Sequence, residues 1–415
     1  MQLKTLLNRV EKHKGFVYEK VSLAEGNDLQ LQVTVRPRRG SRPRCSGCEK
    51  PGPGYDTLPE RQFQFVPLWG IAVVLLYAMR RVDCVGCGVK VEVIPWAEGK
   101  SPITKTYAWF LARWAKRLSW REVADAFQVS WETVFRAVEL AVAWGLKHRD
   151  LKGIRAIGVD EVLWHRGHKY LTVVYQIDSH CRRLLWIGEE RTKETLEDFF
   201  NWFGLRSRWI KYVCSDMWRP YLEVIARRAK NATHILDRYH IVANLNKAID
   251  QVRAEEAKRM KADGYEPILK KSRWCILKRP KNLTKKQRRK LRDLVQYNLK
   301  TVRAYLLKEE FQLLWLYVSP TWAGKFLDTW CAAVMRSRIE PLKKQARSLR
   351  KHRQLILNWF HAKGTISAGV VEGLNNKLKV ITRRAYGFKT FKAASIALYH
   401  GLGALPEPPV THKFC

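Results

Sequence analysis

Four cysteines stand in two pairs of the same form, Cys45-Ser-Gly-Cys48 and Cys84-Val-Gly-Cys87, with thirty-five residues between the pairs. A C-x-G-C segment, with a turn-permitting glycine inside it, makes a metal knuckle, and two knuckles can surround one ion tetrahedrally. Four thiolates leave no open coordination position, so the chemistry is a closed structural Zn²⁺ site that stabilises a fold. Redox pairs are the alternative, but a thioredoxin-like site needs one C-x-x-C beside a βαβ pattern, not two matched knuckles. The other five of the nine cysteines are scattered, and the lone histidines His13 and His165 are not needed as ligands.

A second chemistry calls for hard oxygen ligands. Asp160 closes the apolar run Ile157-Gly158-Val159, and Asp216 closes Tyr212-Val213-Cys214-Ser215. Neighbouring strands would bring both acids to one edge of a sheet. Such carboxylates are costly unless solvated, paired or metal-bound, and two sharing a site suit Mg²⁺ or Mn²⁺. Glu372 is the candidate third acid, isolated in the stretch SAGVVEGLNNKLK that begins at Ser367. Lys379 follows it two helical turns later on the same face as a phosphate contact, with Asn375 and Lys377 as further candidates. Glu161, Asp178 and Asp237 compete with these three acids, and residue pattern alone does not rank them.

Elements must hold these groups. Residues 1–98 alternate β-like runs (Leu29 to Val35, Ile71 to Met79, Val89 to Ile94) with Gly/Pro turns, a small β module for the cysteines. Residues 102–147 turn helical. Ser119 reads as an N-cap with Glu122 as its capping-box partner, Gln128-Val129 as a turn, and Ser130 as the cap of a second helix. That arrangement is a helix-turn-helix, with Val123, Ala124, Phe127, Val134 and Val138 packed inside. Trp131, Glu132, Thr133 and Arg136 face outward, where a major groove would be read. A plain helical hairpin has the same periodicity; the charge of the chain decides between them. Lys and Arg number 77 against 38 Asp and Glu, a net +39 that favours a polyanionic partner.

From residue 153 the order is three strands (Ile154 to Val159, Lys169 to Ile177, Arg183 to Ile187), a helix from Thr192 to Phe203, a strand at Trp209 to Cys214 and a helix from Pro220. This predicts a mixed, RNase H-like α/β sheet over 153–238. Residues 239–362 are helical and charged, broken at Gly264, Pro280 and Pro320, and read as an insertion; 363–405 returns to the sheet as a helix from Ser367 to His400, and the tail 406–415 frays. The fold class expected is therefore multidomain. Basic runs at Lys270 to Arg292, Arg336 to Arg353 and Lys377 to Lys392 offer phosphate contacts, among them Lys285, Lys286, Arg288, Arg383 and Arg384. Trp218, Trp322 and Trp359 stack on bases or fill cores. The longest apolar run, Ile71 to Met79, is too short to span a bilayer, and the first fifteen residues lack a signal-peptide pattern, so a cytoplasmic protein without membrane partners is expected.

Four motifs in order, GVDEV around Asp160, SDMWRPY around Asp216, ILDRYHIVANLNKAID after it and SAGVVEGLNNKLKVITRRAYGFKTF around Glu372, resemble the bacterial insertion-sequence transposases of the ISL3 type. The resemblance covers nearly the whole chain. It implies that Asp160, Asp216 and Glu372 are a DDE triad using Mg²⁺ or Mn²⁺, that Cys45, Cys48, Cys84 and Cys87 bind Zn²⁺, and that the segment before Glu372 is an insertion. It also implies an enzyme that binds the terminal inverted repeats of its element as a dimer or higher oligomer, cleaves there and joins the ends to target DNA, in the bacterial cytoplasm at the nucleoid. A regulator that binds without cutting and a structure-specific nuclease are the competing expectations.

Overall fold

The computed structural model describes residues 2–24, 29–165, 169–265, 268–362, 366 and 369–409. The chain forms two compact units. One comprises Met1–Arg149 with Tyr399–Gly401 and the described part of Leu405–Cys415; the other comprises Asp150–Leu398 with Leu402–Ala404.

The first unit opens with α1 (Leu3–Val10), followed by β1 (Phe16–Ala24), β2 (Gln30–Pro37), β3 (Gly54–Leu68), β4 (Ile71–Cys84) and β5 (Gly88–Val91). The strands form one sheet in the order β1-β2-β4-β3, with β5 also paired to β4. β2 runs parallel to β4 and the other pairings are antiparallel. Trp96 centres its core, with Phe16, Phe63 and Tyr77 packed edge-on against the indole. β1 and β3 were not expected: β3 carries Pro59 and mostly exposed polar residues, so its apolar signal is diluted. Three helices follow, α2 (Lys105–Ala115), α3 (Trp120–Ala126) and α4 (Trp131–His148). Ser119 and Glu122 form the expected capping box, Ser130 caps α4, and Gln128 takes the positive φ of 50° that turns the chain between α3 and α4. The expected fraying from Pro406 is corrected over the described residues: Glu407 pairs with Arg113 Nε at 2.8 Å and Lys116 Nζ at 2.7 Å. Residues 410–415 of that tail lie outside the described residues.

The second unit is built on β6 (Ala156–His165), β7 (Lys169–Asp178), β8 (Cys181–Glu189), α5 (Lys193–Phe203), β9 (Tyr212–Ser215), α6 (Arg219–Arg228) and β10 (Thr233–Leu236). The strand order is β10-β9-β6-β7-β8, antiparallel across β6, β7 and β8 and parallel across β6, β9 and β10. This is a mixed sheet. Phe199, Phe200 and Phe203 of α5 and Tyr221, Val224 and Ile225 of α6 bury against its strands. Two boundaries differ from expectation by three residues or more. Gly204–Trp209 is a 3₁₀ turn, so β9 starts only at Tyr212. β6 continues past Asp160 to His165, because its hairpin with β7 extends beyond the part paired to β9.

Helices then run in series: α7 (Arg238–Ala262), α8 (Arg273–Leu277), α9 (Lys285–Val295), α10 (Lys300–Gln312), α11 (Pro320–Arg336), α12 (Glu340–Lys351) and α13 (Arg353–His361). Their core holds Leu245, Ile249, Phe311, Leu327, Trp330 and Leu342. The chain breaks at Gly264, Pro280 and Pro320, as expected. The expected last helix is two, α14 (Gly369–Arg384) and α15 (Phe391–Leu402). Tyr386 and Gly387 take positive φ between them, a left-handed turn that ends a helix. Ser367, where that helix was expected to begin, lies outside the described residues.

Candidate active site

The parallel strands β9 and β10 end level with each other. Leu236 pairs with Ser215, so the next residues, Asp237 and Asp216, leave the sheet side by side, and Asp237 N–H donates to the Ser215 carbonyl at 2.8 Å. On the other flank Gly158 pairs with Cys214, so Asp160, two residues on, comes level with Asp216. Asp160 therefore sits inside β6 rather than at its end, yet beyond the last residue that β9 pairs. Three acids share one edge.

Other side chains fill the space between them. His240, in the first turn of α7, sets Nε2 3.8 Å from Asp160 Oδ1 and 3.8 Å from Asp237 Oδ2. Arg191 sets Nε 2.6 Å from Glu161 Oε1 and Nη2 3.5 Å from Asp216 Oδ2, with its guanidinium over the Trp218 ring. Asp216 Oδ1 accepts the Trp218 N–H at 2.8 Å. Glu372 projects, exposed, from the first turn of α14, near enough to Asp237 for its charge to be felt there.

The electrostatics are those of crowded acids. Burial pushes the Asp160 carboxyl up, helped by Asp216 and opposed by His240 and by the Glu161 N–H and Asn375 bonds it accepts. Burial, then the charges of Asp216 and Asp160, push Glu161 to about 8 against the pull of Arg191. Asp237 is raised to about 6, by burial first and then by Asp160 and Glu372. A cation would offset both penalties, and a set of hard carboxylate oxygens fits Mg²⁺ or Mn²⁺. Asp178 lies apart, bound to Gln176 Nε2 and the Arg155 N–H.

The cysteines converge more tightly. Sγ atoms of Cys45, Cys48, Cys84 and Cys87 all lie within 4.8 Å of one another; among the described residues no other group of three or more His, Cys, Asp and Glu does so. Thiolates around one Zn²⁺ stand about 3.8 Å apart, from a Zn–S bond of roughly 2.3 Å. Backbone N–H groups of Cys48 and Gly47 lower the Cys45 thiol to about 7, while hydrogen bonds with Cys48 and Cys84 push the Cys87 thiol up to about 12. A Cβ at Gly47 would stand 3.1 Å from Cys87 Sγ, so any larger residue there would press on the thiol cluster.

A family model for ISL3-type DDE transposases, described as transposase, matches residues 157–398. The chain belongs to this family. The transposase for insertion sequence element IS1001 of Bordetella parapertussis is 30% identical over 91% of this chain and 92% of its own length. That for element IS1557 of Mycobacterium tuberculosis (strain CDC 1551 / Oshkosh) is 29% identical over 96% of each. Among solved structures, similarity to the Drosophila P element transposase strand transfer complex spans 71% of this chain and 90% of that chain, at 9% identity and a TM-score of 0.37. The chain is thus a DNA transposase of a metal-using family, and the binding-only and nuclease-only expectations are not favoured.

Elsewhere in this transposase the candidate DNA contacts fall on three helices. On α4, Trp131 is stacked on Phe135, the Thr133 hydroxyl bonds the capping Ser130, and Arg136 is paired with Glu132, all on an exposed face. Lys285, Lys286 and Arg288 are exposed on α9, and Lys379 and Arg383 on α14, with Arg384 half-buried. Trp359 packs against Trp315 and Phe360, Trp218 against Tyr221, and Trp322 is exposed under Lys325. No helix among the described residues is long and apolar enough to cross a membrane. Sequence reasoning did not single out His240 or Arg191. Asn375, read as a phosphate contact, is instead buried against Asp160.

Proposed function

We propose that this chain binds the terminal inverted repeats of its own insertion sequence, cuts there and joins the ends to target DNA, with Asp160, Asp216 and Glu372 as the acids that hold its catalytic Mg²⁺ or Mn²⁺. The observation that carries the reading is the edge shared by Asp160 and Asp216, with α14 packed on the same sheet and Glu372 in its first turn. The order of three antiparallel strands followed by two parallel ones supports an RNase H-like sheet, and the helices α7 to α13 an insertion before its last part. The Cys45, Cys48, Cys84 and Cys87 cluster supports a structural Zn²⁺ site in a β module over 1–98, and the α3–α4 pair a helix-turn-helix over 102–147.

In the reaction, water and then a 3′ hydroxyl attack phosphorus in line, so each step exchanges one P–O bond for another. Bound metal would lower the charge barrier at the attacking and leaving oxygens. The carboxylates of buried Asp160 and half-buried Asp216 are pre-aligned by the strand register, which keeps reorganisation small when DNA arrives. Lys379 and Arg383, further along α14, are exposed and would neutralise phosphates of the bound DNA. Trp131, Thr133 and Arg136 of α4 read the repeat, and two such ends imply a dimer or larger assembly.

Replacing Asp160, Asp216 or Glu372 by its amide should abolish both cleavage and joining of a labelled end duplex, with Mg²⁺ or Mn²⁺, while binding in a gel-shift assay survives or tightens. Wild-type cleavage by Glu372→Gln would move the third acid to Asp237, which leaves β10 level with Asp216. Wild-type protein that binds ends yet never cuts would overturn the proposal.

A further inference from the structure

A buried polar chain crosses the face of the sheet beneath α14. Tyr175 of β7 stands opposite Gly158 of β6, and Asp160, two residues on, shares that face. Gly158 lets the helix come close, because a Cβ there would overlap Val371. One helical turn after Val371 comes Asn375, 8% exposed. Its Oδ1 accepts the Tyr175 hydroxyl at 2.8 Å, and its Nδ2 donates to Asp160 Oδ2 at 2.5 Å. The other oxygen, Asp160 Oδ1, accepts the Glu161 N–H at 2.8 Å.

We infer that Asn375, oriented by Tyr175, is a positioning residue that fixes the Asp160 carboxylate and ties to it the helix bearing Glu372. The chain has one polarity. Burial keeps the Tyr175 phenol protonated, so it donates; the amide oxygen is then occupied, and the NH₂ group must face the carboxylate. With each oxygen held by one donor, rotating the carboxylate would break a hydrogen bond, and each oxygen keeps a lone pair for a metal. A neutral amide does this without adding charge where acids already repel one another. Because Asn375 lies three residues after Glu372 on α14, the bond also sets the axial position of that helix against β6.

The inference rests on Asp160 being a metal ligand, and the experiment separates the two ideas. Full-length, zinc-loaded protein is titrated with Mn²⁺, and free Mn²⁺ is followed by electron paramagnetic resonance. Partners that orient a ligand are worth about 10–100-fold in metal affinity, so Asn375→Ala should weaken Mn²⁺ binding by roughly that factor. Tyr175→Phe should weaken it less, and the double variant no more than Asn375→Ala alone, since Tyr175 acts through Asn375. A merely structural role would lower the melting temperature and leave Mn²⁺ affinity unchanged, which overturns the inference. Losses that multiply in the double variant overturn it too. If Asn375→Ala does not fold, Tyr175→Phe, which removes one hydroxyl, carries the test, and wild-type affinity in it sinks the inference. Asp160→Asn is the control: when it loses Mn²⁺ and Asn375→Ala does not, only this inference fails, and when Asp160→Asn binds Mn²⁺ like wild type, the acid site itself is wrong.

Discussion

At Gly158 the requirement is room rather than backbone freedom. Its missing side chain is the space that Val371 fills, and that contact seats α14 on β6. Gly158→Ala should cost about 1–3 kcal/mol through overpacking and lower cleavage while sparing DNA binding. Calorimetry of the variant, with Gly158→Ala/Val371→Ala as a compensated pair that recovers part of the loss, checks this; an unchanged melting profile would remove Gly158 from the role. The same neighbourhood shows which site residues sequence could reveal. Asp160 and Asp216 were legible because each interrupts an apolar run, a local signal. Asp237 carries that signal as well, after Ile235-Leu236, but was one competitor among several, since strand order is needed to bring it level with Asp216. His240, Arg191 and Tyr175 are polar residues in ordinary helices, turns and strands, and their proximity to the acids exists only after folding. Asn375 was a candidate phosphate contact because helical periodicity does not say which side meets the sheet.

Elements were legible where signals are local and periodic. Ser119, Glu122 and Ser130 announced α3 and α4 because a cap and its partner lie within three residues, and both caps form as expected. β1, β3 and β10 were missed for the opposite reason: β1 has its alternation broken at the bulge between Tyr18 and Lys20, β3 is polar on much of its length, and β10 has four residues. The cysteine knuckles belong to this scale, since they close elements rather than react. Cys84 ends β4 opposite Gly88 of β5, and Cys45 bridges to Glu92, so the four thiols join the hairpin to the loop after β2. One zinc per chain is expected by elemental analysis. Cys84→Ser should release it and open the first unit to limited proteolysis, while the second unit, which has its own core, stays resistant. A metal-free protein with an intact first unit would refute the assignment.

For the whole molecule the controlling quantity is charge. A net +39 is far more than helix caps or pairs on the surface require, and much of it lies on helices outside the acid edge. Sequence-independent attraction to phosphates must then dominate affinity, with specificity added by a few groups that read bases. Lys285, Lys286 and Arg288 are exposed on α9, a helix whose buried contact is Leu294, so replacing the three should leave the fold intact. Each that touches a phosphate contributes about one to the slope of log affinity against log salt. Neutralising all three should weaken binding to the terminal repeat and to random duplex by about the same factor and flatten both salt slopes together. Arg136→Ala should behave differently. Its guanidinium is exposed and held by Glu132, an arrangement that a base edge can replace, and its loss should weaken repeat binding more than random binding, with little change in slope. Fluorescence anisotropy at several salt concentrations on both duplexes measures all four quantities. Equal losses on the two duplexes for Arg136→Ala would take α4 out of the reading role, and a triple variant whose slopes match wild type would take α9 out of the DNA path.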